Sequence, residues 1–271
     1  MTQLEIANLA LRKLGEAKIT ALNATTPAAQ AANDLYQPTL DSLLRKYRWN
    51  FARKSAFLEP VWVAATSVFL DAPGIIGVNK SAHGLVAGQR VLLSTSDYPD
   101  ANGHYYVTDD PAVDTNNFYV EAENAADITS SLGEYHVAPQ HTWAYQVAVP
   151  ADCIALRTVN GYEANRPHEF YTREGGYIFT NAEELDIVYT RSLTGGTDEG
   201  EFDVVFIQAF ACLLAAELAM PVTGAISRRN DMMQMFQEEI TAGLMSNVFE
   251  RRDPNVDRIS GTSYQTRIYG E

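Results

Sequence analysis

Residues 43–57, LLRKYRWNFARKSAF, alternate basic and aromatic side chains in a pattern that could bind nucleic acid. The basic residues are Arg45, Lys46, Arg48, Arg53 and Lys54, and the aromatic residues are Tyr47, Trp49, Phe51 and Phe57. Surfaces for single-stranded nucleic acid combine these two types, because bases stack on aromatic rings while cations contact phosphates. The whole chain, however, carries a formal net charge of −14. The function of this stretch therefore depends on the elements that position it.

The charge is distributed unevenly along the chain. Residues 1–61 hold eight Lys and Arg against five Asp and Glu, a balance of +3, whereas 62–140 carry −8 and 141–271 carry −9. A general nucleic-acid-binding protein is expected to be basic. An acidic balance by itself indicates only solubility. Hydrophobic residues make up 46% of the 271 residues, enough for a folded core in one large or two modest domains.

Motifs for catalysis and cofactor binding are missing from the sequence. It contains no GxxxxGK[ST] or GxGxxG phosphate loop, no HExxH zinc motif and no GxSxG nucleophile elbow. Residues His83, His104 and His136 fall in the same segment, but their spacing does not define a metal site. We therefore expect a protein that is not an enzyme and that has no cofactor. The two cysteines, Cys153 and Cys212, are expected to be reduced.

The first sixty residues predict two helices. Thr2 and Glu5 form a capping-box pattern before the first helix, and Gly15 follows its last apolar residue. Thr26 and Pro27 predict the start of a second helix, which Pro38 should kink and whose last turn holds Arg45, Lys46 and Arg48. Positive charge there is favourable beside the negative end of the helix dipole. Three aromatic residues are predicted to enter the core as the chain turns into a strand: Trp49, Phe51 and Phe57.

The remaining chain changes from strands to helices. Residues 62–140 contain short β-type runs separated by turn residues, as in a small antiparallel barrel or sandwich. Further strands follow from 141, two of them joined by Gly175-Gly176. A helix from Phe202, apolar on nearly all sides, and an amphipathic helix with Met232, Met233 and Met235 as packing residues come next. Residues 251–271 have no periodicity.

These patterns predict the α+β class. Residues 1–61 and 141–250 form a discontinuous helical bundle with a small antiparallel β element. Residues 62–140 form an inserted all-β, barrel-like domain, and 251–271 form an extended C-terminal tail that needs a partner to be ordered. No apolar run approaches about 20 residues, so no membrane span is expected. The N-terminus lacks the pattern of a secretory signal.

Two parts of the sequence resemble known families. The stretch EIANLALRKLGEAKITALNATTPAAQAANDLYQPTLDSLLRKYRWNFA resembles the start of head–tail connector proteins of short-tailed bacteriophages, the adaptor group that includes tail tubular protein A. AVPADCIALRTV, YIFTNAEELDIVYTRSL and the apolar helix from Phe202 resemble its second half, so the similarity spans residues 3–60 and 141–250. Within the insert, SAHGLVAGQRVLL, NGHYYVT and NNFYV are similar to the small FCCH β-barrel of ubiquitin-activating enzymes. Ubiquitin chemistry is not implied, because the catalytic cysteine domain of those enzymes is missing.

The adaptor resemblance implies a structural virion protein. It implies a homo-oligomeric ring, a dodecamer, at the head–tail junction between the portal protein and the tail nozzle protein. DNA would pass through the lumen without specific binding, and the insert would face the nozzle or the tail fibres. The protein would be found in the virion, and in the host cytoplasm during assembly.

Its functional sites would then be surfaces. The tail residues are our candidates for the portal contact: Arg251, Arg252, Tyr264, Arg267 and Tyr269. Arg45, Lys46 and Arg48 are candidates for the subunit interface, and Trp49 and Phe51 are expected to be structural. Three interpretations of the basic stretch stay open: stabilisation of a helix end, bridges to acidic surfaces of neighbouring subunits or the portal, and contact with passing DNA.

Two other classes of function stay open. One is a carbohydrate-binding or carbohydrate-active tail protein, in which aromatic residues of the insert stack on sugars; the candidates are Tyr98, Tyr105, Tyr106 and Tyr119. These side chains could equally fill the core of the small barrel. The other is a DNA-binding terminator, whose affinity for duplex DNA would fall steeply with salt.

Overall fold

The computed structural model describes residues 1–122, 128, 131–140, 143–164 and 169–250, and for 245–250 the backbone alone. Within them the chain is of the mixed α+β type, with four α-helices and several antiparallel sheets. The helices are α1 (Gln3–Lys13), α2 (Pro27–Lys46), α3 (Val204–Leu218) and α4 (Ile226–Glu250), with a π-helical turn, Ala219–Thr223, between the last two.

The strands alternate with short turns between α2 and α3. They are β1 (Arg53–Leu58), β2 (Val63–Ala64), β3 (Ser67–Ala72), β4 (Ile75–Asn79), β5 (Arg90–Thr95), β6 (Gly103–Tyr106), β7 (Asn117–Glu121), β8 (Gly133–Val137), β9 (Tyr145–Ala148), β10 (Cys153–Val159), β11 (Tyr162–Glu163), β12 (Tyr171–Glu174), β13 (Tyr177–Thr180) and β14 (Leu185–Arg191). The strand orders of the sheets are β2-β8-β5-β6, β3-β4-β7, β12-β13-β9 and β1-β14-β10-β11. Gly175 and Gly176 make the β12–β13 hairpin turn, as predicted, with Gly175 at φ 56°.

The chain divides into two units, each discontinuous in sequence. Unit 1 comprises 1–54, 152–156 and, as far as the structure is described, 189–250. Unit 2 comprises 55–151 and 157–188. Unit 2 thus contains the predicted insert, 62–140, and in addition the strands β9, β11, β12 and β13.

The start of α1 follows the predicted capping box. The backbone N–H of Thr2 donates to Oε2 of Glu5 at 2.8 Å, and the N–H of Glu5 donates to Oγ1 of Thr2 at 3.3 Å. Each bond satisfies a backbone donor that the helix itself leaves without an acceptor. Thr26 caps α2 through a single bond, in which its Oγ1 accepts from the N–H of Ala29 at 3.3 Å, and Pro27 occupies the first helical position.

Removal of the α1 cap gives a first testable prediction. Thr2→Ala removes the hydroxyl acceptor, so we expect the free energy of unfolding to fall by ~1 kcal/mol in urea titrations. Thr20→Ala is the matched control, because Thr20 is exposed and lies outside the helices. Equal stability of the two variants would contradict the capping assignment.

The four helices bury a common core in unit 1. Helix α3 contacts α1, α2 and α4, and Phe206, Phe210 and Leu214 on it are fully buried. Residues Val204–Thr223 have the length and mean hydropathy, 1.9, of a membrane span by composition alone, so the expectation that no such run exists was wrong. Burial on nearly all sides accounts for this hydropathy within a protein core as well.

Unit 2 has a separate core between the sheets β2-β8-β5-β6 and β3-β4-β7. It is formed by alternating strand residues such as Val68, Val78, Val91 and Phe118. Two isolated bridges, Val68 to Ser131 and Val107 to Val120, join the two sheets. The described residues do not form one continuous closed barrel, so the coarser description of two antiparallel sheets is the one established.

Three predictions about individual side chains need correction. Phe57, predicted to be in the core, is 58% exposed, because the alternation of β1 puts Ala56 and Leu58 on the more buried face. Arg48 lies beyond α2 rather than in its last turn, since Tyr47 already has extended backbone angles. Met232 and Met233 pack in the core as predicted, but Met235 is 37% exposed.

Candidate functional site

The C-terminal end of α2 presents the basic residues of the opening stretch. Arg45 and Lys46 occupy the last helical turn and are exposed, whereas Arg48 follows the helix and is half-buried. Both helical cations lie where the carbonyl ends of the helix favour positive charge. Stabilisation of the helix end is therefore at least part of their contribution.

Contacts within unit 1 hold two of these cations in place. The guanidinium of Arg45 donates through Nη1 to the carbonyl oxygen of Ile154 at 3.1 Å. The Lys46 ammonium lies 5.4 Å from the centre of the Tyr47 ring, in cation–π geometry. Neither Arg45 nor Lys46 forms an ion pair with a carboxylate in the described part of the chain.

Lys54, by contrast, is neutralised inside unit 1. Its Nζ lies 2.7 Å from Oδ2 of Asp152, and the Tyr189 hydroxyl donates to Oδ1 of the same carboxylate at 2.9 Å. The hydrogen bond from Lys54 holds the pKa of Asp152 below its usual value. Arg45 and Lys46 are thus the exposed cations of the last α2 turn, with no carboxylate partner among the residues that the structure describes, and we call these two residues the α2 basic pair.

An aromatic cluster supports this end of the helix. Trp49 is 2% exposed and packs edge-on against Phe206, with ring centres 5.0 Å apart. Phe51 lies 4.8 Å from Phe206 and 6.1 Å from Trp49. A Cβ atom on Gly243 would come within 3.0 Å of the Trp49 ring, so α4 approaches this ring closely. Trp49 and Phe51 therefore lie in the core region expected for them.

A buried polar network beside α2 was not anticipated from the sequence. The Tyr36 hydroxyl donates to Oε1 of Glu199 at 3.2 Å, and the same oxygen accepts from the N–H of Gly196 at 2.5 Å. Both side chains are buried, and burial together with the Glu199 carboxylate raises the pKa of Tyr36 above its usual range. Glu199 stands in the acidic run TDEGE, where nothing in the sequence distinguishes it from Asp198, which is half-buried, and Glu201, which is exposed.

The tyrosines proposed for sugar stacking do not share one surface. Tyr98 and Tyr105 pack against the unit 2 core, and the Tyr105 hydroxyl donates to the carbonyl of Ala101 at 3.0 Å. Tyr106, adjacent on β6, points to the opposite face and is 56% exposed. Tyr119 is half-buried on β7. Tyr98 and Tyr105 thus contribute to the core, as the alternative to sugar stacking expected.

His136 of β8 connects the segment before β2 with β9 through its two ring nitrogens. Its Nδ1 lies 2.9 Å from the carbonyl oxygen of Val61, and its Nε2 accepts from the N–H of Gln146 at 3.2 Å. A carbonyl needs a donor and an N–H needs an acceptor, so this pairing defines a neutral ring with the proton on Nδ1. Burial lowers the pKa of His136. Nowhere in the described chain do three or more His, Cys, Asp or Glu side chains gather as a metal site would require.

This pairing predicts a pH dependence of stability. Because the folded pKa of His136 lies below the unfolded value of about 6.5, the unfolded chain binds the proton more strongly. The stabilisation is complete above about pH 6.5 and is lost as the pH falls towards the folded pKa. We expect urea midpoints to drop more between pH 8 and pH 5.5 in the wild type than in His136→Gln. An equal drop in both proteins would contradict the prediction.

The portal-contact candidates Arg251, Arg252, Tyr264, Arg267 and Tyr269 lie outside the described residues. Unit 1 does present apolar side chains that sequence reasoning missed: Val204 is 74% exposed, and Ile226 and Met220 are also exposed. Val204 immediately follows the Asp203 cap, Met220 lies in the π-helical turn and Ile226 is the first residue of α4. The only sequence signal for them was the apolar composition of the α3 region, which equally fits a core helix.

Comparisons with known proteins assign no family. None of the models of known protein families matches the chain, and the search of curated proteins likewise gives no match.

Proposed function

We propose that this protein is a structural adaptor of a short-tailed bacteriophage, forming a ring between the portal protein and the tail nozzle protein. In this proposal it acts in the virion at the head–tail junction, after assembly in the host cytoplasm. The proposal rests on the ordered series of similarities to the connector group. In chain order these are the Leu-Gly pair at the end of the first helix, the Ala-rich second helix, the W-N-F-A motif that follows it and the late apolar helix.

The packing of the helices is consistent with this series. Helices α1 and α2 come from the first part of the similarity, and α3 and α4 come from the second. They share one core, in which Tyr36 of α2 meets Phe210 of α3 with ring centres 5.0 Å apart. A discontinuous helical bundle interrupted by an insert is the architecture that we propose for the ring wall.

The exposed groups of unit 1 fit repeated contacts between copies. The α2 basic pair is accessible, while the chain as a whole is acidic, so each copy offers acidic surface to the cations of another. The exposed apolar side chains Val204, Met220 and Ile226 would be covered in such an interface. We propose the α2 basic pair, with Arg48 beside it, as one half of the subunit contact.

The insert is proposed to be a small FCCH-like barrel. The bridges Val68 to Ser131 and Val107 to Val120 support closure, because they join the two antiparallel sheets at separate places. A barrel of this kind would offer a compact surface to the nozzle or the tail fibres. The proposed C-terminal tail, 251–271, would reach the portal or a neighbouring subunit.

The lumen is proposed to let DNA pass without specific binding. Phosphate contacts dominate the affinity of proteins for DNA, so a strongly basic channel would retain the DNA, whereas an acidic one lets it slide. A DNA-binding terminator predicts the opposite. It requires measurable duplex binding at low salt, and the lack of binding under that condition excludes it.

The decisive experiment measures the mass of the purified chain, alone and mixed with portal protein of the same virus. We expect the chain to join the portal as a multi-copy ring, visible by light scattering and negative-stain microscopy. A chain that never joins the portal would overturn the adaptor proposal.

Two sets of variants locate the contacts. Deletion from Asp253 onward should abolish portal binding and leave the circular dichroism spectrum unchanged, whereas survival of binding would exclude the tail as the portal contact.

The double variant Arg45→Glu with Lys46→Glu should prevent ring formation. Lys18→Glu, an exposed lysine outside α2, is its control, and equal ring formation in both would exclude the α2 basic pair as an interface.

A further inference from the structure

Unit 2 contains a cavity of about 410 Å³ that the adaptor proposal does not use. It opens between the start of β5, the end of β8 and the sheet β12-β13-β9. Its lining combines aromatic, amide and charged side chains: Arg90, Gln140, Trp143, Gln146, Glu174 and Phe179. This volume lies in the range of small-molecule sites, and such a mixture is typical of them.

The sheet β12-β13-β9 supplies one wall. Phe179 pairs directly with Gln146 across β13 and β9, so both side chains project from the same face. Glu174 lies on that face too, since Thr172 is the cross-strand partner of Phe179 and strand residues two apart share a face. The opposite face carries Ile178 and Val147, which are buried. The face towards the cavity is therefore the polar and accessible one.

Arg90 positions the opposite wall. Its Nη1 donates to the carbonyl oxygen of Trp143 at 2.9 Å and to that of Pro139 at 3.3 Å. These bonds hold the segment that carries Trp143 against the start of β5. The guanidinium is thus engaged with backbone carbonyls, which makes Arg90 a positioning residue rather than an anchor for an anionic ligand.

Three polar groups at the cavity lack a protein partner within the described residues. They are the indole N–H of Trp143, the carboxamide of Gln146 and the carboxylate of Glu174, and the first two belong to half-buried side chains. Together they offer donors and acceptors in one place. A ligand that forms hydrogen bonds with half-buried polar groups of this kind stabilises its complex with the protein.

We propose that this cavity binds one pyranose ring of a carbohydrate. A sugar ring carries hydroxyl groups that both donate and accept, which matches Gln146 and Glu174, and it has an apolar C–H face that matches the rings of Trp143 and Phe179. A purely apolar ligand would offer no hydrogen bonds to the carboxamide and the carboxylate. The site is distinct from the four tyrosines of the insert, and it stands whether or not the chain forms a ring.

Saturation-transfer NMR on the full-length chain tests the proposal. The probes are methyl α-D-glucopyranoside, methyl α-D-galactopyranoside and N-acetyl-D-glucosamine, with the open-chain polyol sorbitol as the matched ligand control. We expect transfer to at least one of the cyclic sugars and none to sorbitol. No transfer to any of the three sugars, or equal transfer to sorbitol, overturns the proposal.

Variants tie the signal to the cavity. Trp143→Ala removes the ring that stacks, and Gln146→Leu keeps the size of the side chain while removing its hydrogen bonds. Each should weaken binding about tenfold, the loss of one well-placed contact. Tyr106→Ala, which removes an exposed aromatic residue that does not line the cavity, should bind as the wild type does. Undiminished binding by Gln146→Leu with a native circular dichroism spectrum overturns the assignment of the site.

Discussion

Trp49→Ala should lower the free energy of unfolding by about 3–5 kcal/mol, the largest effect that we expect from a single substitution in unit 1. The indole is almost fully buried between Phe206, Phe51 and the backbone of α4 at Gly243. Its removal forfeits the transfer free energy of a large ring and leaves a cavity that rigid neighbours cannot fill. Urea titrations followed by far-UV circular dichroism measure the change.

Phe57→Ala is the matched control for this prediction. Phe57 belongs to the same stretch and is also aromatic, but it is 58% exposed. We expect its replacement to change the free energy of unfolding by less than about 0.5 kcal/mol. Comparable losses from the two variants would show that exposure does not decide their contributions, contrary to the structure. If DNA contact were the main contribution of Trp49, the Ala variant would instead keep its stability and lose DNA binding.

Glu199→Ala should cost about 2–4 kcal/mol, because two donors lose their acceptor within a buried site. The Tyr36 hydroxyl and the N–H of Gly196 both donate to Oε1 of this carboxylate. Around them, Gln37 donates through Nε2 to the carbonyl oxygen of Leu193 at 2.9 Å and accepts from the N–H of Gly195 at 2.9 Å. The loop before α3 is thereby held against α2, and its detachment would expose the end of the helical core.

Two controls separate the network from simple loss of charge. Glu199→Gln keeps an oxygen acceptor at the same place and should cost less than Glu199→Ala. Glu201→Ala removes an exposed carboxylate of the same loop that pairs with Arg191, and should cost less than about 1 kcal/mol. In a double-mutant cycle, Tyr36→Phe and Glu199→Ala should be non-additive, because they break the same hydrogen bond. Strict additivity would contradict the proposed coupling.

Local patterns predicted the helix starts and one hairpin turn correctly, although they placed Arg48 within α2. The capping box at Thr2 and Glu5, the Thr26-Pro27 start of α2 and the Gly175-Gly176 hairpin all occur as expected. Each depends on residues within a few positions of one another, so the information needed is contained in a short window. The burial of α3 was also predicted from its apolar composition. The same composition did not predict that Val204, at the start of the helix, is exposed.

Side-chain partners over long sequence separations could not be predicted. Tyr36 and Glu199 are 163 positions apart, and no property of the TDEGE run marks one carboxylate as buried. The cavity of unit 2 has the same origin, because Arg90, Trp143 and Glu174 are far apart in the sequence and no local pattern specifies which segments meet. The tyrosines named for sugar stacking illustrate the same limit, because Tyr98 and Tyr105 pack against the core whereas Tyr106, next to Tyr105 on β6, is exposed.

Residues 43–57 show both what the local sequence determines and what only the tertiary structure decides. Their sequence alone determined a helix ending in positive charge, because capping and dipole effects act over a single turn. Only the tertiary structure decided that Trp49 is buried, that Phe57 is exposed and that Lys54 is neutralised by Asp152. Within the described ranges, Arg45 and Lys46 have no such carboxylate partner. These outcomes depend on which elements meet in space. The hydrophobicity and charge of a side chain determine which environment it favours, whereas the packing of distant segments determines which groups it contacts.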